Sequence, residues 1–330
     1  MSNINGTGSI NGTNSINGTN SINGTNSING TNSINGTNSI NGADNTGNTV
    51  KTGLVLEGGG MRGMYTDGIL DVFLDQGLSF DGVIGVSAGA IHGSSFVSGQ
   101  RGRNIRYYKK YIRDNRFISM RNLVRTGDIA EVQFCYHDLP EKLDLYDYDA
   151  FNRSKTEFYA VCSNVETGKP EYIRITDMKN QIDVIRASAS LPYVSRLVKT
   201  EGMKLLDGGC TDSIPLMKFR EMGFTKNVVI LTRPKGYQKE PEQLAMAKIR
   251  YRKYPAFVEA LSHRHECYNE SLRQIEELEK MGEIFVLRPD EPLKIGRLER
   301  SQEKLQQVYD IGRRDALMKM RDLKRWLENH

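Results

Sequence analysis

The chain has 330 residues, with 45 lysines and arginines against 40 aspartates and glutamates, for a formal net charge of +5. No apolar run approaches the ~20 residues of a spanning helix. The four cysteines, Cys135, Cys162, Cys210 and Cys267, form no C-x-x-C pair, which argues against a structural zinc site and suits reduced thiols in a cytosol.

Residues 1–49 are a tandem repeat of Ser-Ile-Asn-Gly-Thr-Asn, with five perfect copies from Ser9 to Asn38. One isoleucine per repeat cannot build a core, so disorder is expected; a stacked β-solenoid is the alternative for a six-residue period. The segment lacks a charged stretch followed by an apolar one, so it does not read as a signal peptide. The rest divides into a domain over residues 50–235 and a mainly helical extension over 236–330 expected to pack on it.

The domain opens with Leu54-Val55-Leu56, a short strand, followed by Gly58-Gly59-Gly60-Met61-Arg62-Gly63 and a helical pattern from Met64 to Gly77. A glycine-rich turn between strand and helix aims several backbone N–H groups at one point, an anion-binding arrangement. The anion is either a nucleotide pyrophosphate or the oxyanion of a tetrahedral intermediate. The nucleotide reading wants an acid ending a second strand about 20 residues on, and Asp81 precedes its strand instead. Arg62 adds a cation at the same point or caps a nearby carboxylate.

Phe80 to Val86 reads as a buried strand that runs into Gly85-Val86-Ser87-Ala88-Gly89, a G-x-S-x-G pattern with the serine on a sharp strand-to-helix turn. Glycine at 85 and 89 has a steric reason there, because the turn brings these positions almost into contact. From Arg101 to Arg125 stand nine basic residues and one acid, Asp114, with Tyr107, Tyr108, Tyr111 and Phe117 between them. This is either a solvated helix face with its aromatics turned inward or a platform for anionic phospholipid headgroups. No nucleic-acid fold motif accompanies the charge, and no nucleic-acid partner is expected.

A hairpin is expected from Thr156–Val165 and Glu171–Thr176. Met203 to Asp207 reads as a strand end that runs into the turn Asp207-Gly208-Gly209, where Asp207 is a candidate base for Ser87. Asn227–Leu231 and Ile284–Leu287 are further strands, and 255–281 and 301–328 are long helices. In the second, Leu305, Val308, Tyr309, Leu317, Met320, Leu323 and Leu327 fall near one side. Among the five histidines, His92 follows Ser87 too closely on one helix to fold back, while His137 and His330 fit no role. Ser87, Asp207 and His263 would follow the chain order of an α/β-hydrolase triad, with His265 beside it; solvated helix histidines are the plainer reading.

These motifs together resemble the patatin-like phospholipase family, and within it the bacterial cytoplasmic branch. The match lies in the G-x-G-x-x-G of Gly58–Gly63, the G-x-S-x-G of Gly85–Gly89, Arg186-Ala187-Ser188-Ala189-Ser190-Leu191-Pro192, and Asp207-Gly208-Gly209, across roughly Gly53 to Leu231. The resemblance implies a three-layer α/β/α fold and a Ser–Asp dyad, with Ser87 as nucleophile and Asp207 as proton acceptor. It further implies an oxyanion hole in the Gly58–Gly63 loop and hydrolysis of lipid acyl esters without a cofactor or metal ion. The expected location is cytoplasmic, peripheral at a membrane if the basic segment binds lipid. A non-catalytic acyl-lipid binder on the same fold stays open.

Overall fold

The structure, a computed structural model, describes residues 50–329. The repeat with its expected disorder lies outside them, as does His330. Among the described residues, eight strands form one mixed sheet: β1 Thr52–Leu56, β2 Gly82–Val86, β3 Glu157–Asn164, β4 Lys169–Ile175, β5 Val198–Thr200, β6 Met203–Asp207, β7 Lys226–Ile230 and β8 Ile284–Leu287. Their order is β5-β6-β3-β2-β1-β7-β8, with β4 paired to β3 off this path. The strands β3, β2, β1, β7 and β8 run parallel to one another, whereas β4 and β6 lie antiparallel to β3.

Alternation along the strands builds a core on each face, since successive side chains point to opposite sides. Leu54, Leu56, Val83, Phe158 and Val228 join one cluster, while Val55, Ile84, Val161 and Val229 join the other. With both faces covered, the central strands carry almost uninterrupted apolar runs. Helices α1 Gly63–Asp75, α2 Ala88–Val97 and α10 Gln302–Glu328 cover the first face; α7 Leu216–Glu221 and α9 Pro255–Lys280 cover the second. The fold is the expected α/β/α sandwich with its helical C-terminal region. That region also contributes β8, which extends the sheet in parallel register with β7.

Helices α1 and α10 cross in close contact at Gly68 and Gly312. A Cβ on Gly68 would stand 2.1 Å from the Tyr309 carbonyl oxygen, and one on Gly312 would stand 2.1 Å from that of Tyr65. Most of the expected apolar stripe of α10 is buried, but Leu317 is 53% exposed. One residue past buried Ala316, it is turned about 100° around the helix and off the stripe.

The basic segment divides into α3 Arg103–Tyr111 and α4 Met120–Thr126, and it is not a uniform cationic platform. Arg101 pairs with Asp75, Arg106 with Asp144 at 2.8 Å, and Arg116 with Asp114, while Arg103 is buried and donates to the Asp144 carbonyl. Lys110, Arg113, Arg121 and Arg125 remain exposed without a carboxylate partner among the described residues. Tyr107, Tyr108, Tyr111 and Phe117 are buried. Among the described residues, no helix is long and apolar enough to cross a membrane.

Beneath α3 lies a buried polar cluster that does not touch Ser87. Asp67 accepts from the Asn104 amide at 2.8 Å, and the His92 ring stands 3.6 Å away. That spacing would suit an ion pair, yet burial opposes both charges: it pulls His92 down to about 3, and with Asp71 beside it pushes Asp67 up to about 8. The native state therefore holds a proton on Asp67 that the unfolded chain releases near the ordinary carboxylate pKa of about 4. Asp67 stabilises the fold fully only below that value, and its contribution is lost as pH rises to about 8. Asp67→Asn is expected to melt higher than the parent at pH 8.5, by a margin that shrinks towards pH 4. Parallel melting curves for the two proteins across that range would refute this assignment.

Candidate active site

Register brings the serine and the aspartate to one level. Val86 is paired with Val161, so Ser87 stands one step further along, level with Cys162; from the other side β6 places Asp207 opposite Cys162. Ser87 leaves the sheet at φ 56° and ψ −119°, a conformation that costs a non-glycine residue roughly 1–3 kcal/mol. The sharp turn packs Gly85 against Gly89: a Cβ on Gly85 would stand 2.6 Å from the Gly89 carbonyl carbon. Ser188 fixes the turn. Its hydroxyl accepts the Ser87 N–H at 2.9 Å and donates to the Val161 carbonyl at 2.6 Å.

The Ser87 hydroxyl donates to Asp207 Oδ2 at 2.6 Å, and the Gly209 N–H donates to Oδ1 at 2.8 Å. Asp207 is 3% exposed. Burial raises its pKa above the ordinary carboxylate value, and the Ser87 and Gly209 hydrogen bonds and the Arg264 charge offset only part of that rise. A carboxylate so placed is the stronger base for it.

The glycine turn leaves β1 beside this pair. Gly60 has φ +56°, and a Cβ on it would meet the Arg297 carbonyl oxygen at 2.8 Å. Three of the six residues expected to face an oxyanion have their N–H groups committed. Met61 donates to the Arg297 carbonyl, Arg62 to Gly59, and Gly63 to Gly60 and Met61. The tightening of the turn into α1 causes the last two; the 297 loop lying over the turn causes the first. Among the described residues, the N–H groups of Gly58, Gly59 and Gly60 have no such acceptor. The Arg62 side chain is buried and reaches Thr232 Oγ1 at 3.4 Å.

The other candidates lie apart. Asp81 accepts from the Thr52 N–H and hydroxyl at 2.7 and 2.8 Å, which engages it locally rather than with the glycine turn. His263 is bonded to Glu259 and Glu266 at 3.0 and 3.2 Å on the exposed side of α9, and the nearest acid to His265 is Glu266 at 3.8 Å. Neither ring touches Asp207.

Ser87 lines two hollows of opposite character. One, of about 160 Å³, is walled mainly by apolar and aromatic side chains, among them Ile91, Tyr108, Phe117, Met178, Ile185 and Leu298. The other, of about 30 Å³, holds Asp207 and the cations Arg62, Arg233, Lys239, Arg264 and Arg297. The sequence carried no signal for Arg233, Lys239, Arg264 and Arg297, which lie outside every motif. Ser188 did lie in one, but its hydroxyl's role in holding the serine turn is visible only in three dimensions.

An acid–hydroxyl pair thus stands beside a glycine turn on a three-layer α/β/α sheet. The patatin-like phospholipase profile matches residues 54–220, and a domain of unknown function, DUF6363, matches residues 254–328. The uncharacterized protein YjjU of Escherichia coli (strain K12) is 30% identical over 267 residues, which cover 79% of this chain and 74% of that protein. Lysophospholipase NTE1 of Saccharomyces cerevisiae is 29% identical over 183 residues, 52% of this chain but 10% of that much longer relative. Among solved structures, VipD from Legionella pneumophila aligns with TM-score 0.43 and 15% identity over 82% of this chain and 66% of that one. The chain belongs to the patatin-like phospholipase family. That membership supports lipid acyl hydrolase activity.

Proposed function

We propose that the protein hydrolyses lipid acyl esters with Ser87 as nucleophile and Asp207 as the base. The observation that carries this reading is the 2.6 Å hydrogen bond from the Ser87 hydroxyl, which lines an apolar cavity, to the buried Asp207 carboxylate. Asp207 takes the hydroxyl proton as Oγ attacks the ester carbonyl, and the N–H groups of Gly58, Gly59 and Gly60 receive the oxyanion. Asp207 then returns the proton to the leaving alcohol, which departs and leaves Ser87 acylated. Water, deprotonated by Asp207, releases the fatty acid and restores the serine. The acyl chain occupies the cavity lined by Tyr108, Phe117 and Leu298. A panel of phospholipids, lysophospholipids and neutral esters, scored by fatty-acid release, tests the reading; no release from any of them contradicts it.

In this proposal residues 50–235 form the catalytic domain and 236–330 an extension that completes its sheet and site. Docking on anionic membrane falls to α4 and its neighbours. Met120 and Val124, four residues apart and therefore on one helix face, are 63% and 86% exposed beside Arg121 and Arg125. Reversing Lys110, Arg113, Arg121 and Arg125 to glutamate is expected to weaken binding to anionic vesicles, each cation contributing about 1 kcal/mol. Hydrolysis of a short soluble ester is expected to persist, and the vesicle effect to shrink as salt rises. Unchanged vesicle binding removes this face from the account. Arg106 is left out of the set because it holds Asp144.

A further inference from the structure

The smaller hollow, which adjoins the apolar cavity and shares Gly60, Ser87, Leu191 and Arg297 with it, holds more positive charge than its surroundings neutralise. Five cations line it against two carboxylates, Glu57 and Asp207. Glu57 is already engaged: it accepts from the Tyr268 hydroxyl at 2.6 Å and from the Thr232 N–H and hydroxyl. Asp207 is taken up by Ser87 and Gly209. Arg264 is paired with Glu242 outside the lining. Among the described residues, Arg62, Arg233, Lys239 and Arg297 form no salt bridge.

Two of these cations are held on aromatic faces instead of by acids. The Lys239 ammonium lies 4.6 Å from the Tyr268 ring centroid and the Arg233 guanidinium 4.3 Å from that of Tyr237. The two rings meet edge to face at 6.0 Å. An aromatic face orients a cation without cancelling its charge, so both remain free to bond an anion. Burial, with Arg264 and Arg297 near, pulls the Lys239 ammonium down to about 8, the direction expected of cations gathered without a counter-ion.

The chemistry of the ester fixes which group arrives there. With the acyl chain in the 160 Å³ cavity, the adjoining hollow that Ser87 also lines is the space open to the leaving alcohol. The second hollow, at about 30 Å³, cannot take a second chain but suits a compact polar group. In a glycerophospholipid the phosphate stands only a few bonds from the ester oxygen. We propose that Arg233, Lys239 and Arg297 form a subsite for the phosphate of the leaving glycerophosphate, so that the protein selects phosphate-bearing acyl esters over neutral ones. Arg264, tied to the Gly209 carbonyl, adds a fixed positive field. Lys239, Arg264 and Arg297 come from the C-terminal region, which gives that region a part in substrate choice. The inference rests on Ser87 as the reacting centre.

The test measures equilibrium binding to the full-length Ser87→Ala protein of a monoacylglycerol 3-phosphate, a monoacyl glycerophosphocholine, the monoacylglycerol of equal chain length, and inorganic phosphate. Both phosphate-bearing lipids are expected to bind at least about tenfold tighter than the neutral lipid, as charge-assisted hydrogen bonds would give. Arg233→Ala with Lys239→Ala should erase that margin, and Lys239→Arg should keep it, in proteins that melt like the parent. Equal affinity for the phosphate-bearing and neutral lipids overturns the proposal. So does inorganic phosphate binding as tightly as the phosphate-bearing lipids, which would make the hollow a free-anion site. If the tenfold margin extends to the phosphomonoester alone, the subsite stands and is narrowed to terminal phosphates. A parallel assay of the Ser87 protein shows whether turnover itself occurs, so failure of the catalytic reading is seen separately.

Discussion

Ser87→Ala and Asp207→Asn are each expected to remove nearly all turnover, by about 10²–10⁴-fold for the base alone, while the double variant is little worse than either single one. Asparagine can still accept the Gly209 N–H, but toward Ser87 it presents an amide that cannot take a proton. The stability change should run the other way. A buried carboxylate whose folded pKa is raised stabilises the fold only below its unfolded pKa, and that contribution is lost as pH rises through the folded value. At pH 7 Asp207 is thus a net cost to the fold, so Asp207→Asn should melt no lower than the parent, and loss of activity cannot be put down to unfolding. The same shift sets the acid limb of kcat/KM, which should fall at a pH above the ordinary aspartate value of about 3.9, because only the ionised carboxylate accepts the proton. A limb at or below that value would show that Asp207 is not the base.

Gly312→Ala and Gly68→Ala are expected to destabilise the protein strongly although alanine is the better helix former. Helix propensity favours alanine by about 1 kcal/mol. Against that, each new methyl would stand 2.1 Å from a backbone carbonyl oxygen of the crossing helix. Backbone cannot swing aside as a side chain can, so α1 and α10 must separate, and overpacking of this kind typically costs about 1–3 kcal/mol. Valine at either position should cost more than alanine. Gly296→Ala serves as the comparison, since a Cβ there meets nothing within 4 Å and its φ is not positive. A melting temperature for Gly312→Ala equal to that of Gly296→Ala would contradict the tight crossing.

Most of the sheet could be read from the chain because both its faces are buried, so its central strands are short apolar runs bounded by glycine. Thr52–Leu56, Gly82–Val86, Lys226–Ile230 and Ile284–Leu287 all fall within two residues of expectation. Strand β5 could not be read: Val198-Lys199-Thr200 is three residues long at the sheet edge, and its pairing with β6 leaves no periodic signal. Nor could Gly68 and Gly312 be seen as partners, since 243 intervening residues separate positions that only the helix crossing brings together.

At the site, the motifs carry the residues that the backbone constrains. Gly85 and Gly89 answer to the turn at Ser87, and Gly60 answers to its positive φ and to the Arg297 carbonyl. Which N–H groups of the turn stay free was not legible. That depends on the 297 loop taking up the Met61 N–H, and on the turn itself taking up those of Arg62 and Gly63. The cationic hollow was equally hidden, because Arg62, Arg233, Lys239, Arg264 and Arg297 are spread over the chain and only Arg62 lies in a motif.

Covalent capture asks whether Ser87 is the reacting group. Full-length protein treated with an alkyl fluorophosphonate should gain one phosphonyl group, mapped by mass spectrometry to Ser87. Ser87→Ala should gain none, and Asp207→Asn should react far more slowly. A phosphonyl group on another serine, or undiminished labelling of Ser87→Ala, would show that Ser87 is not the nucleophile.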